Sequence, residues 1–181
     1  MRKFLVPFLV LLCFAACKDS STNTAAPATA GNDSAVAAAV PLPYTAIYSS
    51  NFVPGKQVDV ATVLDSYKAW EINDMKAMRA TFSDSITMVF PDGTKVYGTS
   101  DSIVKTAGTF RDSLSKVVLT FYAWTANHSV DKNEDWVNLW YKEVDTYKKG
   151  KVDSTEYEDD NLLKNGKIVY TSSHSQKYKK K

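Results

Sequence analysis

The second half of the chain alternates between apolar and polar residues over four long stretches, and this pattern restricts the fold more than any other feature. The stretches run over residues 116–130, 135–148, 151–163 and 167–178. A repeat of two residues is typical of β-strands, and the connections between these stretches are short. The sequence therefore predicts an antiparallel meander of four strands, each longer than the usual five or six residues.

Helical periodicity precedes these strands. Asp59 can cap a first helix, and Asn73-Asp74 interrupts the pattern before a second, short helix. Ser100 can cap a third helix. The apolar positions of the three helices are Val60, Val63, Leu64, Tyr67 and Trp70; Met75, Met78 and Phe82; and Ile103, Ala107, Phe110 and Leu114.

A short hairpin is predicted between the second and third helices. Residues 86–90 alternate as in a strand, Pro91–Thr94 forms a turn, and residues 95–97 return to end at Gly98. Helices followed by a long antiparallel meander predict an α+β domain, in which a curved sheet folds over the helices.

A basic start and an apolar run open the chain. Arg2 and Lys3 precede an apolar run over residues 4–16, which is typical of a secretory signal peptide. A membrane-spanning helix needs roughly 20 residues, so a permanent transmembrane anchor is the weaker interpretation.

Cys17 resembles a lipid attachment site. The segment Phe14–Cys17 is similar to the lipobox of bacterial lipoproteins, whose cysteine becomes the N-terminal residue and carries the lipid. Lys18-Asp19 resembles the export tag of Bacteroidetes surface lipoproteins. The resemblance implies an outer-membrane lipoprotein of the bacterial cell envelope, and the periplasmic and surface sides both stay open. An ordinary signal peptide cleaved after Ala16 is the alternative.

Composition divides the chain after the signal peptide of residues 1–17. Residues 18–43 contain almost no large apolar side chain, so we expect a flexible tether. Residues 44–57 combine aromatic residues with a Pro-Gly pair, which predicts an irregular arm. Residues 58–181 are numerous enough for one domain with one hydrophobic core.

The charge of the predicted domain is slightly negative. The chain has 22 Lys+Arg and 20 Asp+Glu residues, but 15 basic and 18 acidic residues lie between Tyr44 and Gln176, which is 15 − 18 = −3. A basic face for nucleic acid is therefore not indicated. The lysines at the C-terminus are interpreted as a solvated end or a weak contact with anionic lipid.

The order of elements resembles the nuclear transport factor 2-like, SnoaL-like superfamily. The segments 66–98, 135–154 and 157–169 look like its helix-hairpin start and its last two hairpins. The resemblance implies a cone-shaped half-barrel with a pocket between sheet and helices, and often a homodimer through the outer sheet face. It implies no single activity, because isomerases, hydrolases, dehydratases and binding modules share the fold.

Two short turns predict which residues face the pocket. A two-residue turn at Lys149-Gly150 would pair Lys142 with Tyr157 and Trp140 with Asp159. A similar turn at Asn165-Gly166 would pair Tyr157 with His174 and Asp159 with Ser172. Glutamates 143 and 156 would then oppose each other on the outer face, where water tolerates like charges. The predicted inner residues are Lys142, Tyr157, His174, Trp140, Asp159, Ser172, Trp136, Asn161, Leu163, Ile168 and Tyr170.

Other candidate sites carry less weight. The phase of residues 116–130 stays open, so that either Phe121 or Tyr122 and Trp124 face inward, and His128 is unassigned. Residues 131–142 imitate the start of a calcium loop but lack its glycine at position six and its glutamate at position twelve, so no metal site is expected. No motif for a bound cofactor is present.

Tyr157, Asp159 and His174 are the candidate catalytic residues. Relatives in the superfamily use a pocket carboxylate as base with a phenol or imidazole as donor, which the resemblance transfers to these positions. Arg79 and Arg111 are on predicted helices, which weakens a comparison with the epoxide-hydrolase branch. The favoured interpretation is a non-catalytic module for a small hydrophobic ligand, in which Lys142, Tyr157 and Asp159 satisfy one another. The alternatives are an isomerase-like or hydrolase-like enzyme and a protein-interaction domain.

Overall fold

The computed structural model describes residues 41–176. The predicted signal peptide, the lipidation site Cys17, all but the last residues of the predicted tether, and residues 177–181 lie outside the described residues. No helix within residues 41–176 is long and apolar enough to cross a membrane.

The described part contains three helices and seven strands, in the order that the sequence predicts apart from a short first strand. The elements are β1 (Phe52–Pro54), α1 (Gln57–Ile72), α2 (Met75–Thr81), β2 (Phe82–Val89), β3 (Lys95–Thr99), α3 (Ser100–Arg111), β4 (Leu114–Ser129), β5 (Glu134–Tyr147), β6 (Val152–Lys164) and β7 (Lys167–Gln176).

The strands form one curved, unclosed sheet in the order β1-β4-β5-β6-β7-β2-β3. Strand β2 pairs with β7 in parallel, and the other neighbours are antiparallel. The predicted α+β half-barrel is therefore confirmed, but its sheet is mixed and not wholly antiparallel. The difference arises because the β2–β3 hairpin adds to the edge of the meander beside β7, a contact between distant parts of the chain.

One face of the sheet, here called the inner face, packs against the helices. Val60 and Val63 of α1 join Val137 and Leu139 of β5 in a single core, and all four side chains are almost fully buried. Each such side chain contributes roughly 1.5–3 kcal/mol by leaving water. The opposite face is called the outer face.

Local sequence explains most helix ends. Asn73 adopts a left-handed conformation (φ 61°) that ends α1, and the Asp74 side chain accepts a hydrogen bond from the Ala77 N–H at 2.9 Å to begin α2. The interruption predicted at this pair is confirmed. Phe82, which was expected in the second helix, is instead the first residue of β2.

Two predicted caps differ by a few positions. Lys56 precedes α1 without a side-chain cap, and Asp59 lies inside its first turn. Thr99 caps α3, because its hydroxyl accepts from the Ser102 N–H at 3.4 Å. Ser100 is the first residue of that helix and donates from its hydroxyl to the Ser83 carbonyl at 2.5 Å.

The predicted irregular arm contains a strand. Strand β1 pairs with residues 127–129 at the free edge of β4. The Gly55 N–H donates to the Ala126 carbonyl at 2.8 Å, and the Val130 N–H donates to the Asn51 carbonyl at 2.9 Å. A Cβ atom on Gly55 would lie 2.8 Å from the Asn127 nitrogen, so only glycine permits this approach.

The β5–β6 register differs by one residue from the predicted register. Tyr147 and Lys151 bracket a three-residue loop in which Gly150 has a positive φ of 84°. Such a loop adds one residue to the expected two-residue turn. Tyr141 therefore pairs with Tyr157, and the predicted pairs of Lys142 with Tyr157 and of Trp140 with Asp159 are wrong.

The β6–β7 turn is predicted correctly, but the register changes farther along. Asn165 and Gly166 form a two-residue turn, with positive φ values of 52° and 70°. An irregularity beyond Leu163 then inserts one extra residue into β7, so Asp159 faces Ser173. The predicted pairs of Asp159 with Ser172 and of Tyr157 with His174 are wrong for this reason.

Candidate functional site

Asp159 lies at the centre of the inner face. Asp159 is only 3% exposed. The hydroxyl groups of Tyr67 and Tyr141 both donate to its Oδ2 atom, and the distance from Tyr141 is 2.9 Å. Tyr67 comes from α1 and Tyr141 from β5, so three elements meet at this carboxylate. Oδ1 is buried and accepts no hydrogen bond of standard geometry from the described residues, although the Ser173 hydroxyl is near enough to lower the pKa of the carboxyl.

Burial dominates the electrostatics of Asp159. It raises the pKa of the carboxyl above its ordinary value, while the hydroxyl groups of Tyr67, Ser173 and Tyr141 oppose that change. Burial also raises the pKa of both phenols well above the usual range, and the nearby carboxylate adds to the effect. The phenols therefore remain protonated donors at any physiological pH.

Glu143 is a second acidic group on the inner face. Its Oε1 atom accepts a hydrogen bond from the Trp70 indole N–H at 3.0 Å. Burial, with smaller contributions from the charges of Asp145 and Asp159, raises the pKa of Glu143 to about 8 against the opposing effect of the indole hydrogen bond. Glu143 can therefore hold a proton near neutral pH and release it in slightly alkaline solution.

An inner aromatic cluster extends from Asp159 toward solvent. It consists of Tyr67, Phe121, Trp124, Tyr141 and Tyr157. The rings of Tyr141 and Tyr157 stack at 5.3 Å, and the Phe121 ring lies 6.4 Å from that of Trp124. Trp124 is 47% exposed, so the cluster connects a buried carboxylate with the surface.

Part of the predicted site is brought together on the inner face. Tyr157, Asp159 and Asn161 lie on this side of β6, and burial raises the pKa of Tyr157 to about 12. Asn161 is 1% exposed. Its amide donates to the Val137 carbonyl, and its side-chain oxygen accepts from the Thr171 hydroxyl. Leu163 and Ile168 belong to the core, as expected.

The other predicted site residues lie on the outer face. The register changes described above move them there, and His174 is exposed at the end of β7. The expectation that both rows line one pocket is therefore wrong in its geometry. Which of these side chains binds or transforms a ligand stays a prediction. The residues concerned are Trp136, Trp140, Lys142, Tyr170, Ser172 and His174.

The open question about β4 is answered by an irregularity in that strand. Its register shifts between Phe121 and Ala123, so Phe121 packs into the core while the Tyr122 hydroxyl donates to Glu156 at 3.0 Å on the outer face. After the shift, Trp124 pairs with Leu139 and faces inward. A strand bulge of this kind leaves no reliable trace in alternating periodicity.

His128 lies beside charged residues at the wide end of the inner face. Its Nδ1 atom is 2.8 Å from Asp135 Oδ1, and the other oxygen of Asp135 pairs with Lys56 at 2.9 Å. Burial raises the pKa of Asp59, and the charge of Asp135 adds to this. Among residues 41–176, no group of three or more His, Cys, Asp or Glu side chains is arranged to hold a metal ion.

Sequence reasoning missed Tyr67, Tyr141 and Glu143 as site residues. Tyr67 was assigned to an apolar helix face, and the predicted register placed the other two on the outer face. One signal was available: Tyr141 and Glu143 follow Val137 and Leu139 at intervals of two, and a strand usually directs its most apolar row to the core.

The two best-formed grooves on the described surface are not lined by Asp159. One lies between α1 and α2, and the other lies on the outer face beside β1.

The comparisons with known proteins agree on the fold. No family model and no curated protein matches the sequence. An NTF2-like protein of unknown function from Exiguobacterium sp. 255-15 is 19% identical, with a TM-score of 0.54, and the match covers 65% of this chain and 99% of that one.

Two further structures are similar. A protein of the NTF2-like family from Streptomyces avermitilis, assigned as a dehydratase, is 9% identical over 67% of this chain and 96% of its own, with a TM-score of 0.57. An LEH-like epoxide hydrolase of M. tuberculosis is 8% identical over 66% and 84%, also with a TM-score of 0.57. At this identity the likeness concerns the fold alone. The chain therefore has the NTF2-like fold.

Proposed function

We propose that the chain is a lipid-anchored domain of the bacterial cell envelope that binds a small, largely apolar molecule on the inner face of its sheet, without transforming it. The observation that carries the ligand site is Oδ1 of Asp159, a buried carboxylate oxygen that accepts no hydrogen bond of standard geometry in the described part of the chain. A buried acceptor of this kind costs about 1–3 kcal/mol when it is left unpaired, so a ligand donor would recover that energy.

The surroundings of Asp159 define the ligand class. The inner aromatic cluster offers apolar contact along its whole length, and the two phenols already occupy Oδ2. The ligand would therefore insert one hydroxyl or N–H group toward Oδ1 and pack its apolar body against the rings. The partly exposed Trp124 marks the side from which it enters.

Thermal-shift screening of the purified protein with small hydroxyl-bearing and carbonyl-bearing aromatic compounds tests this function. We expect compounds that raise the unfolding temperature and whose affinity falls about tenfold in Asp159→Asn, since one hydrogen bond to a charged group contributes roughly 1.5–3 kcal/mol. Tyr157→Phe should weaken binding only if its hydroxyl also contacts the ligand.

Matched controls exist on the outer face. Asp160→Asn and Tyr170→Phe make the same chemical changes as Asp159→Asn and Tyr157→Phe. Their side chains lie on the outer face of the sheet. Compounds that bind both Asp159→Asn and Asp160→Asn with unchanged affinity would contradict the proposed site. A screen without any hit would favour the protein-interaction alternative.

An acid–base enzyme is the second candidate, and Glu143 is the observation that favours it. A carboxyl group with a pKa of about 8, raised in part by the charges of Asp145 and Asp159, resembles the acidic groups that serve as acids and bases in enzymes. NTF2-like neighbours include proteins assigned as a dehydratase and an epoxide hydrolase. Each screening hit should be incubated with the protein and followed by NMR. Turnover that disappears in both Glu143→Gln and Asp159→Asn supports an enzyme, whereas unchanged hits support a binding module.

A further inference from the structure

The outer face carries a groove that the inner site does not explain. It has a volume of about 510 Å³, within the range of small-molecule sites. One wall is the arm that contains β1, and the floor is the outer surface of β4, β5 and β6. We call this groove the outer groove. Its lining residues are Tyr48, Phe52, Asn127, Trp136, Asn138 and Asp160.

A row of polar side chains crosses the floor of the outer groove. The Asn127 amide donates to Asn138 Oδ1 at 3.0 Å, and the Asn138 amide donates to Asp160 Oδ1 at 2.5 Å. These residues come from β4, β5 and β6, and neighbouring strands lie about 4.8 Å apart, so the row extends over roughly 10 Å. Such a row can contact an elongated ligand at several points.

The row presents acceptors to its surroundings. Both Asn127 amide hydrogens are engaged, one by Thr125 and one by Asn138. Within residues 41–176, no Lys, Arg or His side chain forms an ion pair with Asp160. No basic residue lines the outer groove either. Asn127 and Asp160 therefore suit a ligand that donates several hydrogen bonds, and an anion is disfavoured.

Aromatic rings complete the walls. The Trp136 indole N–H donates to the Tyr48 hydroxyl at 3.0 Å, and that hydroxyl donates to Glu134, so the arm is fixed against the sheet. The Trp136 ring also lies 6.0 Å from that of Tyr170. Tyr48 and Phe52 remain 44% and 45% exposed, which leaves ring surface for a ligand, and the Lys132 ammonium lies 5.7 Å from the centre of the Tyr48 ring.

We propose that the outer groove binds a neutral saccharide of about two sugar units. A sugar ring combines an apolar C–H face, which packs on aromatic rings, with an edge of hydroxyl groups that donate to carboxylate and amide oxygens. An organic cation would need one concentrated negative site enclosed by rings. The outer groove is open and spreads its acceptors over three strands, which fits a row of hydroxyl groups better.

Titration of the full-length protein in detergent with maltose, cellobiose and chitobiose tests the proposal by tryptophan fluorescence and calorimetry. We expect saturable binding of at least one disaccharide. Asp160→Ala should weaken it about tenfold, since a hydrogen bond to a charged acceptor contributes roughly 1.5–3 kcal/mol. Trp136→Ala should weaken it by a similar factor through lost ring contact.

The control variants are Glu158→Ala and Trp140→Ala, which lie on the same outer face but outside the groove. Each should leave the disaccharide affinity unchanged. The proposal is overturned if none of the three disaccharides binds, or if Glu158→Ala weakens binding as strongly as Asp160→Ala does. It is also overturned if choline chloride binds through Asp160 while the disaccharides do not, or if sedimentation finds a dimer that Trp136→Ala dissociates.

Discussion

At the scale of single residues, the inner face holds acidic groups in places where water is scarce. Glu143 and Asp159 belong to neighbouring strands, and burial raises the pKa of both. Asp159 is compensated by two phenols, whereas Glu143 has one indole donor. The free energy that each buried carboxyl group costs the folded state therefore depends on pH, and this dependence can be measured.

Glu143→Gln should remove a pH dependence of the free energy of unfolding. The folded-state pKa of about 8 lies above the ordinary glutamate value of 4.5, so the folded protein binds more protons than the unfolded chain between these values. Wild-type stability should fall as the pH rises through this window, by an amount on the order of a few kcal/mol. Urea denaturation at pH 5, 7 and 9 measures this loss.

The variant should lose less stability than the wild type between pH 5 and pH 9. Glu158→Gln is the matched control, because Glu158 is exposed on the outer face and should leave the wild-type slope intact. Equal slopes for Glu143→Gln and the wild type would show that Glu143 is not buried as described.

At the scale of elements, turn geometry decides which residues share a face. Lys149-Gly150 reads as a two-residue turn, yet the strands close around three residues because Gly150 alone takes the left-handed conformation. A single added residue moves Lys142 and Trp140 to the outer face. Alternating periodicity cannot show this, since a shift by one residue leaves the pattern itself unchanged.

Gly55→Ala should loosen the arm from the edge of the sheet. The new Cβ atom would lie 2.8 Å from the Asn127 nitrogen and 2.9 Å from the Ala126 carbonyl carbon, which are backbone atoms that cannot move aside alone. We expect a loss of about 1–3 kcal/mol, the usual cost of overpacking. Hydrogen exchange at the Val130 N–H, which donates to the Asn51 carbonyl just before β1, should become faster.

Gly98→Ala provides the comparison. Its new Cβ atom would lie 3.8 Å from Ile103 Cγ1, an ordinary van der Waals distance, so the sheet edge near Val130 should keep its protection. If both variants exchange equally at Val130, the close approach at Gly55 does not hold the arm.

At the scale of the whole molecule, the order of elements follows from sequence because each element has its own periodicity. The three helices and the four long strands were predicted within a few residues of their bounds. The parallel pairing of β2 with β7 was not, because it joins segments about 80 residues apart and no local pattern encodes it. Asp159 and Tyr157 were predicted on the correct face of β6, although the β5–β6 register used for that assignment was off by one residue. Tyr67 could not be predicted as a site residue without the packing of α1 across the sheet.

Cys17→Ala should release the whole protein from the membrane. In the proposed lipid-anchored protein the acyl chains on Cys17 hold the domain at the membrane, and they contribute roughly 0.8 kcal/mol per buried methylene. Membrane and soluble fractions of cells that express the variant should show this shift on immunoblots. Cys13→Ala is the matched control, because that cysteine lies inside the predicted signal peptide and should leave the protein in the membrane fraction. An unmodified N-terminus in the mass spectrum of the exported wild-type protein would contradict the anchor.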